Sequence, residues 1–104
     1  ALELNQKLHH LAHYDDLTGL HNRRDAQRKL NKKIAVANMS KSFSILLCDI
    51  DFFKLVNDKY GHSAGDAVLT ELSQVFKASL RETDYVARWG GEEFLFIPQM
   101  PIME

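Results

Sequence analysis

The chain has a single cysteine, almost no net charge and no long apolar run, and each lack removes a class of protein. Cys48 alone cannot close an internal disulfide. Set inside Ile45-Leu46-Leu47-Cys48, it reads as a buried, reduced thiol in a cytosolic setting. The formal net charge is −1, from 13 Lys and Arg against 14 Asp and Glu, so a nucleic-acid polyanion is not an expected partner. No stretch approaches the roughly 18 apolar residues of a membrane span, and no signal peptide is visible. Internal repeats and low-complexity segments are missing as well.

What is there fits one globular domain: 104 residues, 45% hydrophobic and 26% charged. A start at Ala1 without Met, and a stop at Pro101-Ile102-Met103-Glu104, read as a piece of a longer chain.

Leu4, Leu8 and Leu11 form a narrow apolar stripe on an amphipathic helix. It suits either a helical partner or packing on its own domain. His9 and His13 have the i,i+4 spacing of a zinc pair, but no third ligand is evident, and a solvated helix face explains them. Asp15-Asp16-Leu17-Thr18-Gly19-Leu20 breaks the pattern with a structured turn. A second helix is predicted from about Asn22 to Asn38, with Ala26, Leu30, Ile34 and Ala37 on one face, then a loop over Ser40 to Ser42.

Phe43 to Ile50 reads as a strand, apolar almost throughout, as expected when helices cover both faces. A short helical turn over Phe52 to Lys59 ends at Gly61. Ser63 to about Leu80 carries the stripe Val68, Leu69, Leu72, Val75, Phe76 and Leu80, with Ser63 and Asp66 fitting an N-cap and N3 pair. Tyr85 to Trp89 and Glu93 to Ile97 form a hairpin turning at Gly90-Gly91, and Pro98 ends it. Helices interleaved with strands imply a central sheet with flanking helices, in the α/β or α+β class.

The chemistry lies in two acidic clusters. Asp49-Ile50-Asp51 ends the first strand, and Gly90-Gly91-Glu92-Glu93-Phe94 presents acids beside the hairpin turn. Mg²⁺ takes one or two carboxylates plus phosphate oxygens, which Asp49 and Glu92 can supply if their strands are neighbours. Alternatively Asp49 and Asp51 cap the following helical turn. Glu92 and Glu93, if both on a strand, point to opposite faces, so one can hold metal while the other supports it. Lys54 reads as a phosphate-binding point charge or as a solvated lysine. Asn57 and Asp66 can read a guanine edge, or serve as a turn asparagine and a capping acid. His62 meets a phosphate or ribose, or bonds to backbone. Phe94 reads as core.

Four blocks then carry a resemblance. They are Asp16-Leu17-Thr18-Gly19-Leu20 with Asn22-Arg23-Arg24; Asp49-Ile50-Asp51-Phe52-Phe53-Lys54 with Asn57-Asp58; Gly61-His62 with Gly65-Asp66; and Gly90 to Phe94. The chain resembles the GGDEF domain of diguanylate cyclases, in the Glu variant of the signature, from Asp15 to Ile97. The resemblance implies a palm-like central sheet of the nucleotide-cyclase and polymerase-palm type. It makes residues 1–14 a linker or signalling helix and 15–104 the domain. The implied reaction condenses two GTP into cyclic di-GMP and two pyrophosphates, in a homodimer with one GTP per subunit. Asp49, the carbonyl of Ile50, and Glu92 would bind Mg²⁺ or Mn²⁺, with Glu93 assisting. Glu92 would also be the catalytic base. Backbone N–H groups of Phe52 and Phe53, with Lys54, would hold the triphosphate. Asn57 and Asp66 would read guanine, and His62 would line the same site.

Arg81-Glu82-Thr83-Asp84, five residues ahead of Gly90, resembles the family's inhibitory site for cyclic di-GMP. Both side chains are expected to project outward from a helix end. The resemblance also implies an upstream sensory domain and a cytoplasmic location, including the cytoplasmic part of a membrane-anchored sensor. One departure stands out: the family domain continues well past Ile97, with further basic residues for the phosphates, and its absence here would leave a sheet edge exposed. The rival reading is a non-catalytic or truncated module of this family that senses GTP or cyclic di-GMP.

Overall fold

A glycine-turn hairpin organises the molecule. In the computed structural model, which describes residues 2–37 and 42–99, the elements in order are α1 (Leu2–His13), α2 (Arg23–Val36), β1 (Leu46–Asp49), α3 (Phe53–Tyr60), α4 (His62–Ser79), β2 (Tyr85–Arg88) and β3 (Glu93–Ile97). β3 is the central strand of an antiparallel sheet ordered β1-β3-β2. The fold is α+β, as the sequence predicts.

Alternation along β2 and β3 sends side chains to two cores. Tyr85, Ala87, Leu95 and Ile97 meet Ala26 and Leu30 of α2. Val86 and Phe94 meet Leu20 and Leu69, with Leu72 and Phe76 of α4 packed alongside. Phe76 stands edge-on to both Phe94 and Phe96, at ring centroid distances of 5.2 and 4.9 Å. Burying a side chain such as Phe94 contributes about 1.5–3 kcal/mol, which is why the hairpin, not β1, anchors the sheet.

β1 corrects three expectations. The strand is four residues long, not Phe43 to Ile50, and all four are exposed. Cys48 is therefore an exposed thiol, not a buried one. The reason is position: β1 pairs only with β3 and lies at the sheet edge among the described residues, so helices cover β2 and β3 but not β1.

Helix ends also differ in detail. Asn22 caps α2, its side chain accepting from the Asp25 N–H at 2.8 Å. The helix ends at Val36; Asn38 lies outside the described residues, as do residues 40 and 41 of the expected loop. Ile34 is 62% exposed, so only the first half of that predicted stripe is buried. The Ser63–Asp66 capping pair does not form, because α4 begins at His62 with Gly61 as its N-cap and no side-chain cap bond. Gly61, at φ 93°, closes α3 and opens α4 at once, a conformation that favours glycine. Val68 and Val75 of the α4 stripe stay exposed. Leu4, Leu8 and Leu11 are 58%, 56% and 59% exposed, so the α1 stripe does not pack on its own domain.

Candidate functional site

The end of β1, the hairpin turn and the α3–α4 pair enclose one cavity of about 710 Å³. Each wall has a local cause. Asp49 is the register partner of Glu93, and the Ile50 N–H donates to the Glu92 carbonyl at 3.2 Å, so the two acidic clusters are joined through backbone. Phe52 then reverses the chain in the left-handed region at φ 60°, a costly setting for an aromatic residue, worth about 1–3 kcal/mol. That reversal starts α3, whose Phe53, Lys54, Asn57 and Asp58 face the cavity. His62 and Asp66, one turn apart on α4, complete it. Gly65 makes room here: a Cβ would force aside the Asn57 side chain, which lies across it.

The hairpin turn is wider than two glycines. Trp89 N–H donates to the Glu93 carbonyl at 2.8 Å, and Gly90 N–H reaches the same oxygen at 3.3 Å. Gly90, Gly91 and Glu92 therefore sit outside the strands. Strand alternation does not apply to Glu92, and both Glu92 and Glu93 line the cavity instead of opposing each other. A Cβ on Gly90 would collide with the Glu93 carboxylate.

Of the metal- and substrate-site residues named from sequence, all but Ile50 and Phe52 line this cavity. Ile50 packs against the α4-side core, and Phe52 is 75% exposed. Either contributes to the site only through its backbone. Asp58, Leu69, Arg88 and Gly91 line it without having been singled out.

Arg88 is the most informative of these. Its Nε and Nη2 donate to the Gly91 carbonyl at 3.2 and 2.9 Å, and Nη1 donates to both Asp15 carboxylate oxygens at 3.3 and 3.2 Å. Asp15 also accepts from the Thr18 N–H and hydroxyl at 2.9 and 2.8 Å. Burial pushes the Asp15 carboxyl up, but the Thr18 bonds and the Arg88 guanidinium together hold it below its ordinary range. A guanidinium thus bolts the signature turn to the Asp15–Leu20 turn. The signal available in sequence was an arginine two residues before Gly90.

No group of three His, Cys, Asp or Glu converges as a metal site among the described residues. The carboxylates at the acidic rim of the cavity are those of Asp49, Glu92 and Glu93. An all-oxygen set with few carboxylates fits Mg²⁺ or Mn²⁺, whose other ligands come from water and phosphate. His9 and His13 instead pack ring against ring at a tilt of 45°, with centroids 4.5 Å apart.

Arg81 and Asp84 differ from expectation. α4 ends at Ser79, and the two residues close a turn of their own, with Asp84 N–H donating to the Arg81 carbonyl at 3.0 Å. Asp84 does not project outward. Its carboxylate accepts from the Arg81 and Gln99 backbone N–H groups at 3.1 and 2.8 Å and from Arg81 Nε at 3.3 Å. The Gln99 bond, then Arg81, lower its pKa. Arg81 remains 66% exposed, and neither residue lines the main cavity.

Residues 12–102 match the family described as diguanylate cyclase, GGDEF domain. The diguanylate cyclase DgcM of Escherichia coli (strain K12) is 43% identical over 104 residues, covering 95% of this chain and 25% of that protein. The chain therefore spans about a quarter of the length of this curated relative. Among solved structures, diguanylate cyclase SiaD of Pseudomonas aeruginosa, in complex with its activator SiaC, superposes with a TM-score of 0.79 at 42% identity, covering 94% of this chain and 38% of that one. The coiled coil and GGDEF domain of DgcB from Caulobacter crescentus, in complex with c-di-GMP, gives a TM-score of 0.85 at 30% identity, covering 96% and 53%. The fold, the acidic hairpin turn and these matches together make the chain a member of the GGDEF domain family of diguanylate cyclases.

Proposed function

We infer that this domain holds one GTP and, facing a second copy, joins two GTP molecules into cyclic di-GMP. The observation that supports it most is one cavity lined both by the acids of the strand ends, Asp49, Glu92 and Glu93, and by the helix residues Asn57, His62 and Asp66. In this reading the 3′-hydroxyl of each GTP attacks the α-phosphorus of the other. A new P–O bond forms, the bond to the β-phosphate oxygen breaks, and pyrophosphate leaves. Glu92 takes the hydroxyl proton. Asp49, the Ile50 carbonyl, Glu92 and Glu93 hold Mg²⁺ or Mn²⁺, which when bound offsets the charge of the triphosphate. Backbone N–H groups of Phe52 and Phe53, at the left-handed turn, and Lys54 bind the phosphates. Asn57 and Asp66 pair with the guanine edge, and His62 lines the same site.

Arg81 and Asp84 bind the product in this reading. The DgcB structure contains c-di-GMP, which supports a product site in the family. Pairing of two copies, an upstream sensory segment acting through α1, and a cytoplasmic setting complete it; no helix among the described residues is long and apolar enough to cross a membrane.

The test is turnover by the full-length protein with Mg²⁺ and either GTP or ATP. Cyclic di-GMP from GTP, and no cyclic product from ATP, is the expected result. GTP binding without product would favour the sensor reading instead. Asp66→Ala should narrow the preference for GTP over ATP by about 10- to 100-fold, the worth of a hydrogen bond to a charged group. An unchanged preference would remove Asp66 from base recognition.

A further inference from the structure

A second cluster of titratable groups lies on the α2 side of the hairpin and plays no part in the cavity. Four aromatic rings stack in a row from α1 to β2. His10 stacks on Tyr14 at 5.2 Å, Tyr14 on His21 at 4.9 Å, and His21 on Tyr85 at 4.5 Å, with interplanar angles of 25°, 24° and 16°. Beside the row sits Asp25. It accepts from the Tyr85 hydroxyl at 2.5 Å and lies 2.7 Å from His13 Nδ1. His21 Nδ1 is 3.1 Å from the same Asp25 oxygen that accepts from Tyr85, yet this buried nitrogen makes no hydrogen bond. The distance allows an ion pair only if His21 is protonated; neutral His21 gains no hydrogen bond from Asp25.

The backbone follows the same path. His21 bridges Tyr14 on one side and Ala87 on the other. The Asn22 N–H donates to the His13 carbonyl at 2.9 Å, and the Arg88 N–H to the His21 carbonyl at 2.8 Å. Arg28 reaches the Ala12 carbonyl at 2.8 Å. The end of α1 is thus tied through His21 to the strand residue that holds Gly91.

We propose that this stack is a proton-operated latch, in which neutral His21 docks the end of α1 onto β2 and a proton on His21 loosens it. The charges facing His21 decide the sign. On α2, Asp25 favours the proton while Lys29 opposes it, and His13 of α1 opposes it too. Arg28 of α2 lies against both His13 and Asp25. Lys77, Arg81, Glu82 and Asp84 border the cleft on the side of α4 and the turn after it. Tyr85 stays neutral; burial, and then the Asp25 bond, push its hydroxyl well up. Asp25 cannot fully answer a charged His21, because Tyr85, His13 and Arg28 already occupy its oxygens. Burial is the largest influence, and it outweighs Asp25, so His21 is held below the ordinary histidine value of 6.5. The docked state therefore binds fewer protons than the undocked one. Docking is complete above that ordinary value and weakens as pH falls toward the lowered one.

Hydrogen exchange of the Asn22 and Arg88 amides in the full-length protein, from pH 8 to pH 5, reads the latch directly. Corrected for intrinsic rates, their protection should fall by up to about tenfold per pH unit below roughly 6.5, the limit for one proton. His21→Phe keeps a ring in the row without a titrating nitrogen and should flatten the profile. Tyr85→Phe keeps the ring but frees an Asp25 oxygen for His21, and should shrink the response. Protection independent of pH in the wild-type protein overturns the proposal, as does a full response surviving in both variants. Because the readout is amide exchange, not turnover, its outcome is separate from that of the cyclase reading.

Discussion

β1 and β2 flank the same central strand and are built in opposite ways. On β2, Tyr85, Val86 and Ala87 are buried, the Tyr85 hydroxyl is bound to Asp25, and Arg88 is bound to Asp15 and Gly91. On β1 every residue is exposed, and no side-chain hydrogen bond or ion pair joins Asp49 to another described residue. One edge has its polar groups satisfied by protein; the other leaves its carboxylate for something else. The cavity lies on the border, with Glu92 and Glu93 supplied by the turn that Arg88 holds and Asp49 supplied by the open strand. A site that must recruit a cation and a polyphosphate needs unsatisfied oxygens, and a satisfied scaffold keeps them in place.

The sharpest way to break this comparison is to exchange a carboxylate on each side. Glu92→Gln, on the open side, should abolish turnover in the full-length protein while moving thermal stability by no more than about 0.5 kcal/mol, since its side chain has no hydrogen-bond or ion-pair partner among the described residues. Product formation followed beside a melting curve checks both halves. Wild-type turnover in the variant would remove Glu92 from both its base and its metal role.

Arg88→Ala, on the satisfied side, should do the reverse in kind. Arg88 and Asp15 are only 20% and 21% exposed, so removing the guanidinium strands a half-buried carboxylate and frees the Gly91 carbonyl. A loss of about 1–3 kcal/mol in denaturant unfolding is expected, with turnover falling as the turn loosens. A stability change under about 0.5 kcal/mol would mean that Arg88 does not bolt the turn.

Sequence reasoning reached the hairpin, α4 and the acidic clusters because each carries its own local signal: glycines, a 3.6-residue stripe, adjacent acids. It failed where pairing decides. Leu46, Leu47 and Cys48 are as apolar as any buried strand, and nothing in their order reveals that among the described residues only β3 pairs with them. Ser63 and Asp66 have the right spacing for a cap, yet a glycine one residue before His62 started the helix earlier. Arg88 and Asp25 were missed because their partners lie 73 and 60 residues away, at Asp15 and Tyr85. Strand alternation misplaced Glu92, which lies in a turn wider than the glycine pair suggested.

Acid should act first on the satisfied side. Asp15 has its folded pKa below the ordinary value of 3.8. It therefore contributes stability that is full above 3.8 and is lost as pH falls through the folded value. Asp15→Asn should be less stable at neutral pH and should show a flatter decline below about pH 4. Parallel declines for variant and wild type would assign the acid sensitivity elsewhere, with Asp25, whose pKa is lowered in the same direction, as the next test.

The smallest effect belongs to α1, which shares the openness of β1 without any acids. Leu8 is 56% exposed on a stripe that stays largely in water. Leu8→Gln keeps helix propensity nearly constant and removes only apolar surface already in water. In this 104-residue chain the change should shift stability by less than about 0.5 kcal/mol. In the full-length protein the same stripe has a use if two copies pair along it, and burial of even part of a leucine there is worth about 1 kcal/mol per chain. The informative quantity is thus the difference between the two measurements. A shift in dimer dissociation of about 1 kcal/mol or more, with the isolated chain unchanged, would assign the stripe to a partner helix. Equal small shifts in both would leave the leucine stripe a solvated face, open like β1, while only the end of α1 is held to the domain.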